Sequence, residues 1–301
     1  MFKKAERKQA KLRLALSGPS GSGKTTGALL IAKGIGGKIA VLDTERGSAS
    51  LYADLCDFDV VELGPPYTPE SYINIIREAE RAGYSTLIVD SITHEWNGQG
   101  GILEIVDNVA KSKFRGNSYA AWNEGTPRHQ KFIDAMLASP MHIIATMRSK
   151  AVYVETEKGN GKKTIEKQGS APQQRDGLEY EFTAVLDLSV DGNLASASKD
   201  RTRLFRDPFV ISEETGRTLL DWLNSGKSFT DQAKEANQEP MSKAQSNSLM
   251  AYLTKKHGDN RDAYLAELSS FFGRPIGSSR ELTMADVSEF LEAVNSGREA
   301  A

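Results

Sequence analysis

The sequence predicts an α/β fold with a mostly parallel central sheet, followed by a small helical module. Three observations carry that expectation. Alternating apolar residues Leu12, Leu14 and Leu16 lead into a glycine-rich run, Gly18-Pro19-Ser20-Gly21-Ser22-Gly23-Lys24-Thr25-Thr26, and the helical run Ala28 to Ala32 follows it. Apolar stretches that end in polar or charged residues recur at Lys38 to Glu45, Thr86 to Ser91 and Pro140 to Arg148, as strands buried on both faces of a parallel sheet do. Beyond a polar stretch at 226–240, poor in large apolar residues, the chain shows only helical spacing. The organisation expected is a nucleotide-binding core over 1–225, a linker over 226–240 and a helical module over 241–301.

Composition narrows the function classes. The chain has 301 residues, 39% of them apolar, a net charge of −2 and one cysteine, Cys56. A globally basic nucleic-acid binder is excluded, so any DNA affinity has to come from a local patch. A single cysteine excludes an intramolecular disulfide and a cysteine zinc cluster. No apolar run approaches the roughly 20 residues of a membrane helix. The basic residues before the first strand lead straight into the glycine loop rather than into a signal peptide. A soluble, cytoplasmic protein with no membrane partner is expected.

The run Gly18 to Thr25 fits the phosphate-binding pattern G-x-x-x-x-G-K-[ST], and a strand before it with a helix after it is the context that makes the pattern a site. Glycines let successive backbone N–H groups converge on phosphate oxygens, and the following helix points its positive end at the same anion. Lys24 is placed for the β- and γ-phosphates, and Thr25 for Mg²⁺. The nucleotide contacts expected from this run are Gly18, Pro19, Ser20, Gly21, Ser22, Gly23, Lys24, Thr25 and Thr26.

Residues 2–13 carry Lys3, Lys4, Arg7, Lys8, Lys11 and Arg13 against Glu6. They read as a solvated leader, with a DNA or subunit contact as the sharper alternative. The strand Lys38 to Glu45 ends in acids at the edge where open α/β sheets bind ligands. Glu45 can there orient or deprotonate a water attacking the γ-phosphate, or be an ordinary exposed carboxylate. Seven residues on, Tyr52 can stack on adenine or pack in the core. Asp59 to Leu63 reads as a short strand. Residues 70–82 have helical spacing. In Thr86-Leu87-Ile88-Val89-Asp90-Ser91, an apolar strand ends in an acid, and Asp90 is expected to hold Mg²⁺.

After Asp90 come His94, read as structural, and an amphipathic helix over Ile102 to Val109. Lys111, Lys113 and Arg115 then interleave with Tyr119 and Trp122, a mixture that suits single-stranded nucleic acid or a solvated basic face. The strand Pro140 to Arg148 ends with Thr146 and Arg148 near the γ-phosphate position. Two alternating stretches, Val152 to Glu157 and Lys163 to Lys167, flank Gly159-Asn160-Gly161 and predict a hairpin. Lys158, Lys162 and Lys163 sit near its tip, and Gln173, Gln174 and Arg175 follow it. The hairpin reads as a DNA contact or as an edge kept soluble by lysines. A second hairpin, Glu181 to Val190 with Asn193 to Ser198, turns at Asp191-Gly192. The cation-rich run Lys199-Asp200-Arg201-Thr202-Arg203 follows, then a helix from Ser212 to Gly226. In the tail, a capping box at Ser242 and Gln245 opens a helix ended by Gly258. Further helices are expected over Asn260 to Phe272 and Thr283 to Asn295.

Taken together, these motifs resemble the RecA family of recombination ATPases, and most closely its small phage-encoded single-strand annealing members, over residues 11–210. The resemblance implies a RecA-like P-loop core. It implies that Glu45 is the catalytic glutamate, Tyr52 the adenine-stacking residue and Asp90 the Walker B acid. Lys199 and Arg201, before Pro208-Phe209, look like the two cations with which the family reaches into a neighbouring subunit's ATP. Residues 149–177 and 94–125 correspond to its two DNA-binding loops, giving Lys111, Lys113, Arg115, Arg148, Lys158, Lys162, Lys163 and Arg175 as expected DNA contacts. The family's γ-phosphate sensor is a Gln, where this chain has Thr146; Arg148, Gln173 or Gln174 are the alternatives. No separate oligomerisation domain precedes the core, which favours annealing over homology search. The tail resembles helical modules on phage recombination and single-strand-binding proteins.

The function this implies is an ATP- and Mg²⁺-dependent, DNA-stimulated ATPase. It would self-associate as a filament or ring on single-stranded DNA and promote strand annealing. Its tail would meet a single-stranded DNA-binding protein. A P-loop kinase of small molecules, or an adaptor switched by ATP without hydrolysis, are the alternatives.

Overall fold

A computed structural model describes residues 4–157, 163–227 and 241–295. Two compact units emerge. Residues 10–224 form one, and the described parts of 1–9 and 225–301 form the other.

The larger unit is a three-layer α/β sandwich. Its strands are β1 (Arg13–Gly18), β2 (Ile39–Asp43), β3 (Asp59–Glu62), β4 (Thr86–Asp90), β5 (His142–Glu157), β6 (Lys163–Pro172), β7 (Ala184–Leu188), β8 (Leu194–Asp200) and β9 (Phe209–Val210). They join in the order β3-β2-β4-β5-β1-β7-β8-β9, with β6 pairing only with β5. The first six are parallel, and β8 and β9 close the sheet antiparallel. The expected mostly parallel core is thus the one formed.

Alternation along each strand sorts the core into two faces. Leu14, Leu16, Ile39, Val41, Ile88 and Ile144 pack against α1 (Lys24–Ile35) and α6 (Glu213–Asn224). Ala15, Ala40, Leu42, Leu87, Val89, Ile143 and Ala145 pack against α2 (Pro69–Arg81) and α5 (Ser118–Ala138). Burial on both faces explains why these strands are apolar almost throughout. α2 starts at a Thr68 side chain that accepts from the Ser71 N–H. Two further helices, α3 (Thr93–Asn97) and α4 (Ile102–Lys113), lie between β4 and α5 in the chain. Ile102, Val106 and Ala110 of α4 meet Ala121 of α5, with Trp96 and Trp122 packed beside them.

Two findings depart from expectation. The 21-residue α5 was not anticipated; Gly125, Thr126 and Pro127 interrupt its apolar spacing, and Pro127 sits inside the helix. Arg13 does not belong to a solvated leader. It opens β1, is buried, and donates to the carbonyls of Leu12, Leu137, Ser139 and Met141. Its guanidinium therefore finishes the C-terminal end of α5, where unpaired carbonyls favour a cation. Burial lowers its pKa to about 10.

The smaller unit holds α7 (Lys243–His257), α8 (Arg261–Phe272) and α9 (Met284–Asn295). The Ser242–Gln245 capping box forms in full. Leu249, Leu253, Leu268, Ile276, Leu282, Val287 and Phe290 make its core. In the same unit Gln9 donates to the Lys227 carbonyl and Lys227 to that of Arg7. Of the expected linker 226–240, residues 228–240 lie outside the described residues. Among the described residues no helix is long and apolar enough to cross a membrane.

α1 and α6 approach through facing glycines. A Cβ on Gly216 would stand 2.2 Å from the Ile31 carbonyl, and one on Gly34 would stand 2.0 Å from that of Glu213. Backbone cannot yield as a flexible side chain does. Gly216→Ala is therefore expected to destabilise the larger unit by more than about 2 kcal/mol in urea unfolding, and a cost below roughly 0.5 kcal/mol would contradict this packing.

Candidate nucleotide site

Four adjacent strands, β2, β4, β5 and β1, end on the same sheet edge, and each delivers part of one cleft of about 540 Å³. Its lining includes Ser20, Gly21, Gly23, Lys24, Thr25 and Thr26 from the glycine loop, Glu45, Ser48 and Tyr52 after β2, Asp90 from β4, and Arg148, Ser149 and Gln173. The volume is within the ~300–1,000 Å³ of small-molecule sites.

The loop after β1 turns through two left-handed glycines, Gly21 at φ 79° and Gly23 at φ 82°, before α1 starts at Lys24. The side chain of Asn193, in the turn before β8, leans on Gly23; a Cβ there would meet its Nδ2 at 2.6 Å. Lys24 Nζ donates to the carbonyls of Gly18 and Pro19 at 3.0 and 2.8 Å. Burial lowers its pKa, against the pull of Asp90 and Glu45.

Asp90 is only 2% exposed. Register explains its partners: Ile88 and Val89 stand opposite Ile144 and Ala145, so Asp90 comes level with Thr146. Thr146 Oγ1 donates to Oδ1 at 2.5 Å, and Thr25 Oγ1 donates to Oδ2 at 2.5 Å. Burial still holds the carboxyl above the usual carboxylate range. A hydroxyl and a desolvated carboxylate side by side are hard oxygen donors of the kind Mg²⁺ takes alongside phosphate oxygens. The residues present fit that ion, which Thr25 and Asp90 would hold.

Glu45 is placed by its own loop. Asp43 accepts from the Glu45 N–H at 2.5 Å and from the Ala49 N–H at 2.9 Å, fixing the chain beyond β2. Arg148 Nε donates to Glu45 Oε1 at 2.9 Å, the other guanidinium arm donates to Oε2, and Ser91 Oγ reaches Oε1 at 3.4 Å. Burial raises the Glu45 pKa, but Arg148, His94 and Ser91 together outweigh it and leave the group below its ordinary value. His94 bonds Thr44 Oγ1 at 2.7 Å and stacks on Tyr67. Thr44 also accepts from the Ser91 N–H at 2.9 Å and ties β2 to β4.

The other residues singled out in the sequence are dispersed. Lys199 Nζ donates to the carbonyls of Glu179 and Tyr180 at 2.9 and 2.5 Å, and Arg201 to that of Tyr180 at 2.9 Å. Val185 pairs with Lys199 and Ser17 with Asp187, so both cations lie toward the sheet edge opposite the glycine loop. Lys111 pairs with Asp107 and Lys113 with Glu124, while Arg115 is exposed. Tyr119 is 89% exposed; Trp122 stacks on Trp96, with the Arg175 guanidinium 6.0 Å from its ring centre. Arg148, expected both near the γ-phosphate and on DNA, lines the cleft. The β5–β6 pair runs out from the sheet beyond Arg148, with Glu157 opposite Lys163. Lys158 and Lys162 fall outside the described residues, as does the side chain of Lys163. Gln173 lines the cleft, and Gln174 is buried, donating to the Ile92 carbonyl at 3.0 Å.

Reading by residue type missed Asp43, Thr44, Ser91 and Asn193, and also Thr93, whose Oγ1 accepts from the Arg148 N–H at 2.9 Å. Each flanks a motif residue, and only register and turn geometry reveal its part. It also missed a buried pair, Glu95 with His129 Nδ1 at 3.1 Å, in which burial raises the carboxyl pKa.

Comparison with known proteins gives three findings. A family model described as an AAA domain matches residues 10–227. No curated protein matches the chain. A solved structure, the crystal structure of the RadB recombinase, is 18% identical over 69% of this chain and 90% of that one, with a TM-score of 0.35. That likeness is too low to carry an argument.

The Asp90–Thr146 contact yields a stability test. Thr146→Val keeps the shape and leaves a buried carboxylate oxygen without its donor, so a loss of about 1–3 kcal/mol is expected in urea unfolding. Unchanged stability would mean that Asp90 does not depend on Thr146.

Proposed function

Because the chain belongs to the AAA domain family, we propose that it is an ATPase that assembles on single-stranded DNA and promotes strand annealing in recombination, with each ATP bound and hydrolysed between two subunits. The observation that carries the reading is the convergence of Lys24, the Thr25–Asp90 pair and Glu45 in one cleft at adjacent strand ends.

In this reading the glycine-loop amides and the N-terminus of α1 bind the phosphates, and Lys24 leaves its two carbonyls to neutralise the β- and γ-oxygens. Tyr52 lies against the base. Bound Mg²⁺ supplies further neutralisation of the phosphate oxygens. Glu45 orients a water in line with the γ-phosphate and accepts its proton. Thr146, hydrogen-bonded to Asp90, carries the state of the phosphate site into β5, and hence into the β5–β6 hairpin above the same edge.

Lys199 and Arg201 are assigned to the neighbouring subunit's site. Lys199 is level with Ala15, three residues of strand or roughly 10 Å short of Gly18, and Arg201 lies two residues further away. They therefore do not serve the nucleotide of their own chain, and a head-to-tail interface would bring them to the next one. The hairpin with Lys158, Lys162 and Lys163, together with Arg175 beside Trp122, is assigned to single-stranded DNA. The cations at Lys111, Lys113 and Arg115 are weaker DNA candidates, since acids neutralise two of them. The helical tail is assigned to a single-stranded DNA-binding protein. The site of action is the cytoplasm.

Two predictions follow from these assignments. Lys24→Ala should abolish ATP binding in a calorimetric titration, while Glu45→Gln should bind ATP and turn it over at least about a hundredfold more slowly. Wild-type turnover by Glu45→Gln would place the base elsewhere. Lys24→Ala protein and a Lys199→Ala, Arg201→Ala double variant should each be inactive, yet regain up to about a quarter of wild-type turnover when mixed in equal amounts, as random neighbours in a head-to-tail assembly allow. No recovery on mixing would refute the shared site.

A further inference from the structure

We propose that Arg148 is a positioning residue for Glu45: its guanidinium clamps the carboxylate, then transfers to the terminal phosphate of a bound nucleoside triphosphate and so releases Glu45 to accept a proton from water. The inference rests on the nucleotide-site reading above and adds a check on when that site can act.

The geometry of the clamp is specific. Nε and the second guanidinium arm take one Glu45 oxygen each, and Ser91 Oγ adds to Oε1. A carboxylate with both oxygens on a guanidinium has little basicity and no free direction in which to accept a proton from water. Glu45 in this arrangement is therefore stored rather than ready.

The clamp is also placed to be opened by the ligand. Arg148 lines the same cleft as Lys24 and Thr25, and its side chain is 44% exposed while that of Glu45 is 24% exposed. Its backbone is held on both sides: its N–H donates to Thr93 Oγ1 at 2.9 Å, and its carbonyl accepts from the Gln173 N–H at 2.7 Å. Only the side chain is left to swing. A terminal phosphate offers more charge and more acceptor oxygens than one carboxylate, and two of its oxygens match the guanidinium fork as a carboxylate's do. A nucleoside diphosphate lacks that phosphate and leaves the clamp shut. Because Arg148 is the residue at which β5 leaves the sheet for its pairing with β6, the same swing occurs at the root of the hairpin.

The test is a double-variant cycle on equilibrium binding. ADP and a non-hydrolysable ATP analogue, both with Mg²⁺, are titrated into wild type, Glu45→Gln, Arg148→Gln and the protein carrying both changes. Glu45→Gln should bind the analogue about tenfold more tightly, because Arg148 no longer has to leave a carboxylate. Arg148→Gln should lose about tenfold for the analogue and little for ADP, and the double variant should match Arg148→Gln alone. ADP binding in each variant reports an intact glycine loop, and Arg148→Lys, with a single donor in place of the fork, serves if Arg148→Gln fails that check. A Glu45→Gln gain that persists without Arg148 would show plain repulsion between carboxylate and phosphate and overturn the clamp. An unchanged ATP-to-ADP preference in Arg148→Gln would overturn it too. Turnover separates the two ideas: an active Glu45→Gln removes the base assignment and leaves the binding cycle standing, whereas an inactive Glu45→Gln with additive binding effects removes only the clamp.

Discussion

A carboxylate with almost no access to solvent sits where four strand ends meet, and the surrounding architecture is arranged to tolerate it. Asp90 is stabilised by two hydroxyls from different elements, Thr146 on β5 and Thr25 on α1. Those contacts require β4 and β5 to be neighbours in register, and α1 to start directly beneath the glycine loop. Burial nonetheless disfavours the charged form. A divalent cation with phosphate beside it would turn this cost into affinity. The site is thus incomplete by design in a charge sense, and its chemistry follows from what relieves that deficit.

Around Asp90 the remaining groups form two tiers. Among the described residues Lys24 and Arg148 are the cations lining the cleft, and both are engaged, one with loop carbonyls and the other with Glu45. Their partners are weaker than a triphosphate. Under the proposed function, binding would exchange these internal contacts for phosphate contacts and would so link occupancy to the position of Glu45 and to the root of the hairpin. Behind them, Asp43, Thr44 and His94 set the loop that carries Glu45. Lys199 and Arg201 stand apart from this cleft and donate to the carbonyls of Glu179 and Tyr180.

Much of this was legible in the sequence where chemistry is tied to local pattern. Gly18 to Thr25, the apolar strand ending in Asp90, the hairpin halves around Gly159 and the Ser242 capping box are short-range features, and each takes the expected form wherever it is described. Features set by long-range geometry were not legible. Nothing local distinguishes Arg13 from the lysines before it; only the end of α5 gives it carbonyls to bind. Arg148 reads from the sequence as a strand-end residue near the γ-phosphate and as a DNA contact, but its pairing with Glu45, 103 residues away in sequence, exists only in the folded sheet. Pro127 hid a helix because its cost is offset by packing against α2 and α4, which a reading of propensity does not see.

The central claim is that the cleft holds half of an ATPase site whose other half comes from a second copy. The most direct measurement is ATP turnover per protomer across a dilution series, with association followed by light scattering on the same samples. The account predicts that turnover per protomer falls as the assembly dissociates and reaches a plateau as it forms. Constant turnover per protomer down to concentrations at which the protein is monomeric would contradict it.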